Sequence, residues 1–456
     1  MTIYVPEVGS REGPLYLAIA EAIAEDIAGG RLPGETRLPP HRDLASKLGV
    51  TVGTVSRAYS ELARRHLVSG EVGRGSFVRA PAAVAAESPP SGAIDLSRNA
   101  PTAGPHEAAL ADSLRRIAER PRLVEYLSYT PSSGLRRHRQ AGAAWLARVG
   151  LEVPPERIVM CSGAQQGLAL ALGALQPQGP VLMEAVTYCG LIEAGRLLRQ
   201  RIEPVALDAE GMRPDALEEA ARRTGAKVVV LAPTLHNPTN AVMSAERRKS
   251  IAAIARALDL TVVEDDVYGY LPVDRPPPIA AYAPERTLYL ASASKALAPG
   301  LRVAWMAAPG PLVARLDDAA HALNLSRPPL MDEIASDWIE SGVADRLVRW
   351  QRIEAEARQT LAAGALEGLA LRGHPASFHV LVELPAPWRS EAFAEAARER
   401  GVTVVPLTAF SLAAEPPLQA VRVSLSAAPD RPALARALAT LRALALEAPR
   451  PRRAFI

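Results

Sequence analysis

The chain has 456 residues, 48% of them apolar, and 52 Lys+Arg against 49 Asp+Glu give it a formal charge of +3. That length exceeds one typical domain and that composition fills a large core, which excludes a short disulfide-stapled or disordered chain. A balance so near zero argues for neither a nucleic-acid binder nor an acidic-substrate enzyme as a whole, so any basic surface is local. Cys161 and Cys189 stand at no metal-ligand spacing, the usage expected of a reducing compartment, and no metal site is expected. MTIYVPEVGS lacks a basic stretch followed by an apolar one, and no apolar run approaches the roughly 18 residues of a membrane span. The expectation is a soluble, cytoplasmic protein with no membrane partner.

In chain order, dense punctuation predicts a separate domain over residues 12–80. PLYLAIAEAIAEDIAGG, Pro14 to Gly30, opens on proline, carries apolar residues at helical spacing and ends on glycines. HRDLASKLG and TVGTVSRAYSELARRH form two further helical segments parted by Gly49 and Val50, with Thr51 as N-cap. Leu44, Leu48, Val55, Tyr59 and Leu62 face one core, and LVSGEVGRGSFVRA alternates around glycines as a two-stranded wing does. The whole is a winged helix-turn-helix pattern.

From Arg37 to Arg79 eight basic residues face three acidic ones, an asymmetry hidden by the net charge and suited to phosphates. The segment Thr51–Arg64 is expected in the major groove with Thr51, Thr54 and Arg57 foremost, and Arg42 on a phosphate or base edge. Arg74, at the wing tip, reaches phosphate or the minor groove. A winged helix can also dock protein, but the charge pattern favours double-stranded DNA. Residues 81–93 lie in APAAVAAESPPSGA, which has neither periodicity and reads as a linker; fully extended it spans roughly 40 Å at about 3.1 Å per residue.

From residue 94 to 456, apolar runs rich in β-formers alternate with alanine-rich helical ones: RIVMC, PVLME, AKVVVLAP, LTVVEDD, RTLYLAS and RVAWMAA. Such runs suit strands covered on both faces, hence an α/β class with a doubly wound sheet. From about 312 the pattern changes to long helices followed by SFHVLVEL, TVVPL and AVRVSLS, a smaller C-terminal α+β subdomain.

Four lysines stand against 48 arginines. Lys47, Lys227 and Lys249 read as solvated charges, but Lys295 in SASKALAPGLR follows a strand directly and is flanked by Ser292, Ser294 and Arg302. A primary amine at a strand end can be desolvated and attack a carbonyl, which arginine cannot do. Pyridoxal 5'-phosphate needs such an amine, an acid at its ring nitrogen, donors to its phenolic oxygen, an anion pocket and a stacking face. Asp265 and Tyr268 in EDDVYGYL, Asn237 in HNPTN, Ser162 to Ala164 opening a helix, Tyr188 in AVTYCGL and Arg302 supply candidates, all at predicted strand ends or just after them. Taken singly, each is more simply explained as a solvated acid, a core aromatic, an ordinary helix entry or an ordinary turn; their common order carries the argument.

On SASKALAPGLR, EDDVY and HNPTN, the region from about 94 onward resembles the fold-type I aminotransferases. With LPPHRDLASKLGVTVGTVSRAY and GRGSFV, nearly the whole chain resembles the MocR subgroup of GntR-family regulators, a winged helix fused to an aminotransferase-like body. The resemblance implies that Lys295 holds the cofactor as an aldimine, Asp265 pairs with the ring nitrogen, and Asn237 and Tyr268 donate to the phenolic oxygen. It implies that Tyr188 stacks on the ring and that Ala164, Gln165, Ser292 and Arg302 surround the phosphate. Tyr129 matches a tyrosine that reaches the partner subunit's phosphate, implying a homodimer, and Arg422 matches the arginine that grips a substrate carboxylate. Asn240 departs from the usual glycine after NPT, and the linker is short for the subgroup. Two functions follow: a DNA-binding regulator that senses pyridoxal 5'-phosphate or an amino compound by aldimine exchange, or an aminotransferase passing an amino group from an amino acid to a 2-oxo acid. A DNA reader on a metabolic enzyme would need its own explanation, which favours the regulator.

Overall fold

The computed structural model describes residues 4–6, 8, 14–28, 31–32, 36–64, 67–71, 75–78, 93–413, 416 and 418–447, in two compact units that divide after Ser91. In the first unit, helices Leu15–Ala28, His41–Leu48 and Val52–Arg64 precede strands β1 (Val68–Glu71) and β2 (Gly75–Val78), which pair antiparallel from Val68↔Val78. Leu44, Val55, Tyr59 and Leu62 are buried with Ile19 and Ile23 of the first helix, and Leu48 packs at the edge. Gly49, at φ 67°, closes the second helix in the left-handed conformation that favours glycine. Thr51 then caps the third: its Oγ1 accepts from the Thr54 amide at 3.2 Å.

The second unit opens with β3 (Ile94–Asp95) and then builds a seven-stranded sheet. Its strands are β4 (Ile158–Cys161), β5 (Val181–Glu184), β6 (Ile202–Val205), β9 (Val228–Leu231), β10 (Thr261–Asp265), β11 (Thr287–Ser292) and β12 (Ala304–Ala307), with β7 (Leu207–Asp208) and β8 (Gly211–Met212) forming a small hairpin beside it. Their order is β4-β12-β11-β10-β9-β5-β6. β12 runs antiparallel to both its neighbours, while the other pairs are parallel. Every residue of β4, β5, β9, β11 and β12 is buried, because helices cover both faces; this is why these runs are apolar without alternation.

The smaller subdomain has β13 (Leu371–Arg372), β14 (His379–Glu383), β15 (Val402–Thr403), β16 (Val405–Pro406) and β17 (Ala420–Ser424), with sheet order β13-β14-β17-β16. Its boundary differs from the expected 312. Leu316 and Ala320 of helix Gly310–Asn324 and Ile334 and Trp338 of helix Pro329–Glu340 pack into the cores of the large sheet. The small core begins within helix Val343–Ala365, whose Ala362 joins Val380 and Val421. The large sheet has two faces to cover, and it claims these helices. The small subdomain also takes in residues from far upstream: β3 pairs parallel with β15, Ile94 opposite Val402, and Leu96 is buried in the small core. Among the described residues no helix is long and apolar enough to cross a membrane, and no group of three or more His, Cys, Asp or Glu is placed to hold a metal ion.

Candidate functional site

The large sheet delivers its candidate residues at the carboxyl ends of its strands, where an open α/β sheet presents a ligand site. β11 ends at Ser292, whose buried Oγ accepts from the Ser294 amide at 3.1 Å and so caps the one-turn helix Ala293–Ala296. That turn fixes Lys295. Its Nζ donates to the Asn99 carbonyl and lies 5.9 Å from the centre of the Tyr268 ring. Desolvation lowers the Lys295 pKa to about 8, helped by the positive charges of Arg422 and Arg302 and opposed by Asp265. Such an amine is neutral often enough near pH 7 to act as a nucleophile.

Asp265 ends β10 and is buried. Desolvation, then the negative charges of Asp266 and Glu184, push its pKa up to about 7, against the pull of Lys295. Its Oδ1 is buried with no hydrogen-bond partner. A buried carboxylate with a free oxygen calls for a cationic N–H donor, which is what a protonated pyridine nitrogen provides.

Arg422 on β17 is 5% exposed. One guanidinium nitrogen donates to Asn237 Oδ1 at 3.1 Å, the other to the Ser97 carbonyl, and Cζ lies 4.9 Å over the Phe410 ring. Its Nε is buried and unpartnered. Asn237, with its oxygen taken by a guanidinium, presents its NH2 as donor. The Tyr268 hydroxyl accepts from Asn99 Nδ2 at 2.7 Å. Burial, the first cause, raises the pKa of the Tyr188 phenol to about 12, so its ring is neutral. Gly190 lies so close that a Cβ there would stand 2.5 Å from Tyr188 Cε1.

At the end of β4, Gly163 at φ 87° turns the chain into helix Ala164–Leu175, leaving the first amides of that helix available to an anion. Arg302 Nη2 donates to the Ser162 carbonyl at 3.2 Å, and Gln165 Nε2 donates to the Gly190 carbonyl at 2.6 Å. Ser162, Gln165 and Arg302 share a cleft of about 490 Å³. Tyr129 is 84% exposed.

The structure therefore brings Lys295 together with Asn99, Tyr268, Asp265 and Arg422, ties Arg422 to Asn237, and gathers Ala164, Gln165 and Arg302 at the helix entry. Sequence reasoning missed Ser97 and Asn99. They sit in LSRNAPT, off any strand end of the large sheet, so no positional signal singled them out. It also missed Arg327, whose Nη1 donates to Ser162 Oγ at 3.1 Å while its own charge is met by Asp332 at 2.6 Å.

In the first unit, Arg42, Thr51 and Arg57 are exposed and Thr54 is half-buried. The two threonine hydroxyls lie 2.9 Å apart, so the start of the third helix presents them side by side. Arg74 lies outside the described residues.

Residues 91–441 match the family of aminotransferases of class I and II, and residues 15–78 match the gntR family of bacterial regulatory proteins. The uncharacterized HTH-type transcriptional regulator YdeF of Bacillus subtilis (strain 168) is 30% identical over 444 residues, spanning 96% of each chain. The chain belongs to the MocR subgroup of GntR-family regulators. It is thus a transcriptional regulator with a DNA-binding unit and a body of the pyridoxal 5'-phosphate-dependent kind. This MocR protein is also 31% identical to a 2-aminoadipate transaminase of Thermus thermophilus, over 67% of this chain and 78% of that one. The structure of LysN, an α-aminoadipate aminotransferase of the same organism complexed with N-(5'-phosphopyridoxyl)-L-leucine, superimposes with a TM-score of 0.70 at 28% identity. It covers 77% of the MocR chain and 92% of its own.

Proposed function

We propose that this MocR regulator reads an amino compound, or pyridoxal 5'-phosphate itself, at Lys295 and reports it through DNA affinity. The cofactor supplies an aldehyde carbon open to primary amines and a ring nitrogen that draws electrons. Lys295 is the chain's amine for that carbon, and an effector amine competes with it for the same atom. Asp265, with its unpartnered oxygen, keeps the ring nitrogen protonated. Asn237 and Tyr268 donate to the phenolic oxygen, Tyr188 lies against the ring, and Ala164, Gln165, Ser292 and Arg302 receive the phosphate. Arg422 grips an effector carboxylate with the guanidinium that Asn237 already orients.

The observation that carries this reading is the half-buried Lys295, softened to about 8 between Arg422 and Asp265, in a chain that aligns with an HTH regulator over 96% of both lengths. The body is proposed as a homodimer. Leu127 and Tyr129 are 88% and 84% exposed, beside the exposed Leu123 and Val124, an apolar strip of the kind a second copy covers. Through that strip Tyr129 would reach the partner's phosphate. Thr51, Thr54, Arg57 and Arg42 are proposed as the DNA contacts, with Arg74 on the wing. The test follows cofactor absorbance and the anisotropy of a labelled duplex from the gene's own upstream region while amines are titrated. The two signals should move together, and a spectral response with unmoved DNA affinity would refute sensing.

The softened Lys295 and the oriented Arg422 favour a second reading, full transamination, because proton transfer needs an amine near neutrality. Sustained turnover of an amino donor and a 2-oxo acid would establish it, and a spectral change without product would reject it.

A further inference from the structure

Residues 94–99 connect the linker to the site. At one end they are pinned to the small subdomain: the Ile94 amide donates to Gly401 O at 2.7 Å, the Leu96 amide to Thr403 O at 2.8 Å, and the Ser424 amide to Leu96 O at 2.9 Å. At the other end they occupy the site's own functional groups. Ser97 O accepts from Arg422, Asn99 O accepts from Lys295 Nζ, and Asn99 Nδ2 donates to the Tyr268 hydroxyl at 2.7 Å. The Asn99 side chain also meets His379 Nδ1 at 3.0 Å and Ser424 Oγ at 3.2 Å. Immediately upstream lies the linker to the helix-turn-helix unit.

We propose that residues 97–99 are a strap through which occupancy of Lys295 and Arg422 reaches the linker, an inference that rests on the sensing reading above. The strap and a ligand need the same hydrogens. When neutral Lys295 condenses with an aldehyde, a C–N bond forms, the aldehyde oxygen leaves as water with both amine hydrogens, and the nitrogen keeps at most one acquired proton. That nitrogen is held by the carbon it bonds and no longer serves the Asn99 carbonyl. A carboxylate paired with Arg422 competes in the same way for the nitrogen that holds Ser97 O. Loss of the Lys295 bond leaves the Asn99 side chain's bond to Tyr268 to hold the strap on the large subdomain's side, and loss of the Arg422 bond frees Ser97 from β17; either loss loosens residues 97–99, while Ile94 and Leu96 stay pinned to the small subdomain next to the linker.

The test uses the full chain stripped of cofactor, with pyridoxal 5'-phosphate as the probe and borohydride reduction with mass analysis to verify attachment to Lys295. Amide hydrogen exchange over residues 93–101 should quicken at least about fivefold on attachment, with a matching shift in affinity for the upstream duplex. Asn99→Ala and Asn99→Asp should still take the cofactor, exchange fast before it is added, and lose most of the affinity shift. A full affinity shift in the parent with unchanged exchange at 93–101, or a full shift retained in Asn99→Ala, overturns the strap while leaving sensing intact. Attachment that moves neither affinity nor exchange overturns the strap and the reading of pyridoxal 5'-phosphate as the signal, while the amine titration above decides separately whether an amino compound is sensed.

Discussion

Replacing Gly163 by alanine tests the anion pocket most sharply, since two effects of different size meet at one atom. Gly163 has φ 87° and ψ 165°, a region nearly confined to glycine, so the backbone strain alone costs about 1–3 kcal/mol of stability. The new Cβ would also stand 2.4 Å from Arg302 Nη2. That nitrogen is the tip of an exposed, flexible side chain, so relieving the clash adds little to the stability loss, but it moves the guanidinium off the helix entry. A charge-assisted hydrogen bond contributes roughly 1.5–3 kcal/mol, so affinity for pyridoxal 5'-phosphate should fall about 10- to 100-fold. Urea unfolding of the cofactor-free chain reads the first effect and cofactor titration the second. In an Arg302→Ala background, Gly163→Ala should keep its stability cost and lose most of its effect on affinity. An affinity within about threefold of the parent, or an equal loss in both backgrounds, refutes the argument that this glycine exists to make room for Arg302.

Lys295→Ala should abolish borohydride-fixed cofactor, read by mass, and in the parent the rate of attachment should climb with pH and level off above about 8, as the amine loses its proton. Asp265 binds its proton more tightly in the folded chain, about 7 against 3.8, so its contribution favours folding at low pH and is lost as pH rises between those values. The melting temperature of cofactor-free Asp265→Asn should therefore fall less between pH 5 and pH 8 than the parent's, roughly the window of that shift. Asn240 donates to the Arg372 and His379 carbonyls, each at 3.0 Å, and accepts from Ser377 Oγ at 2.6 Å. Asn240→Gly should lower stability by about 1–3 kcal/mol in urea, even though φ 63° suits glycine better. Thr51→Ala should cost about 1 kcal/mol through its cap, whereas Arg57→Ala should weaken binding to the upstream duplex by about 1–3 kcal/mol more than binding to an unrelated one, as loss of a major-groove contact does.

The helices of the first unit were legible because their apolar spacing, Gly49 and the Thr51 cap are local signals. The buried strands were legible because covering both faces removes polar residues from whole runs. Lys295, Asp265 and Asn237 were legible for a related reason: each follows or ends such a run, and strand ends in a doubly wound sheet converge. The antiparallel hand of β12 was not legible, since Ala304–Ala307 is as apolar as its parallel neighbours. The start of the small subdomain was misplaced because an amphipathic helix does not record which sheet will bury its stripe.

Asn240 shows the division plainly. Its identity and its place in HNPTN established that a left-handed turn could be kept without glycine, but its three bonds to the small subdomain depend on β14 lying alongside. Asn99 is harder still, because its partners lie 169, 280 and 325 residues away in the chain. The sequence by itself determined the two units and the buried runs of the large sheet, and it singled out the amine, acid and guanidinium proposed for the site, since these follow from residue chemistry and local periodicity. Only the tertiary structure decided that the stretch after the linker runs back through that site, because hydrogen bonds between distant segments leave no period or spacing to read.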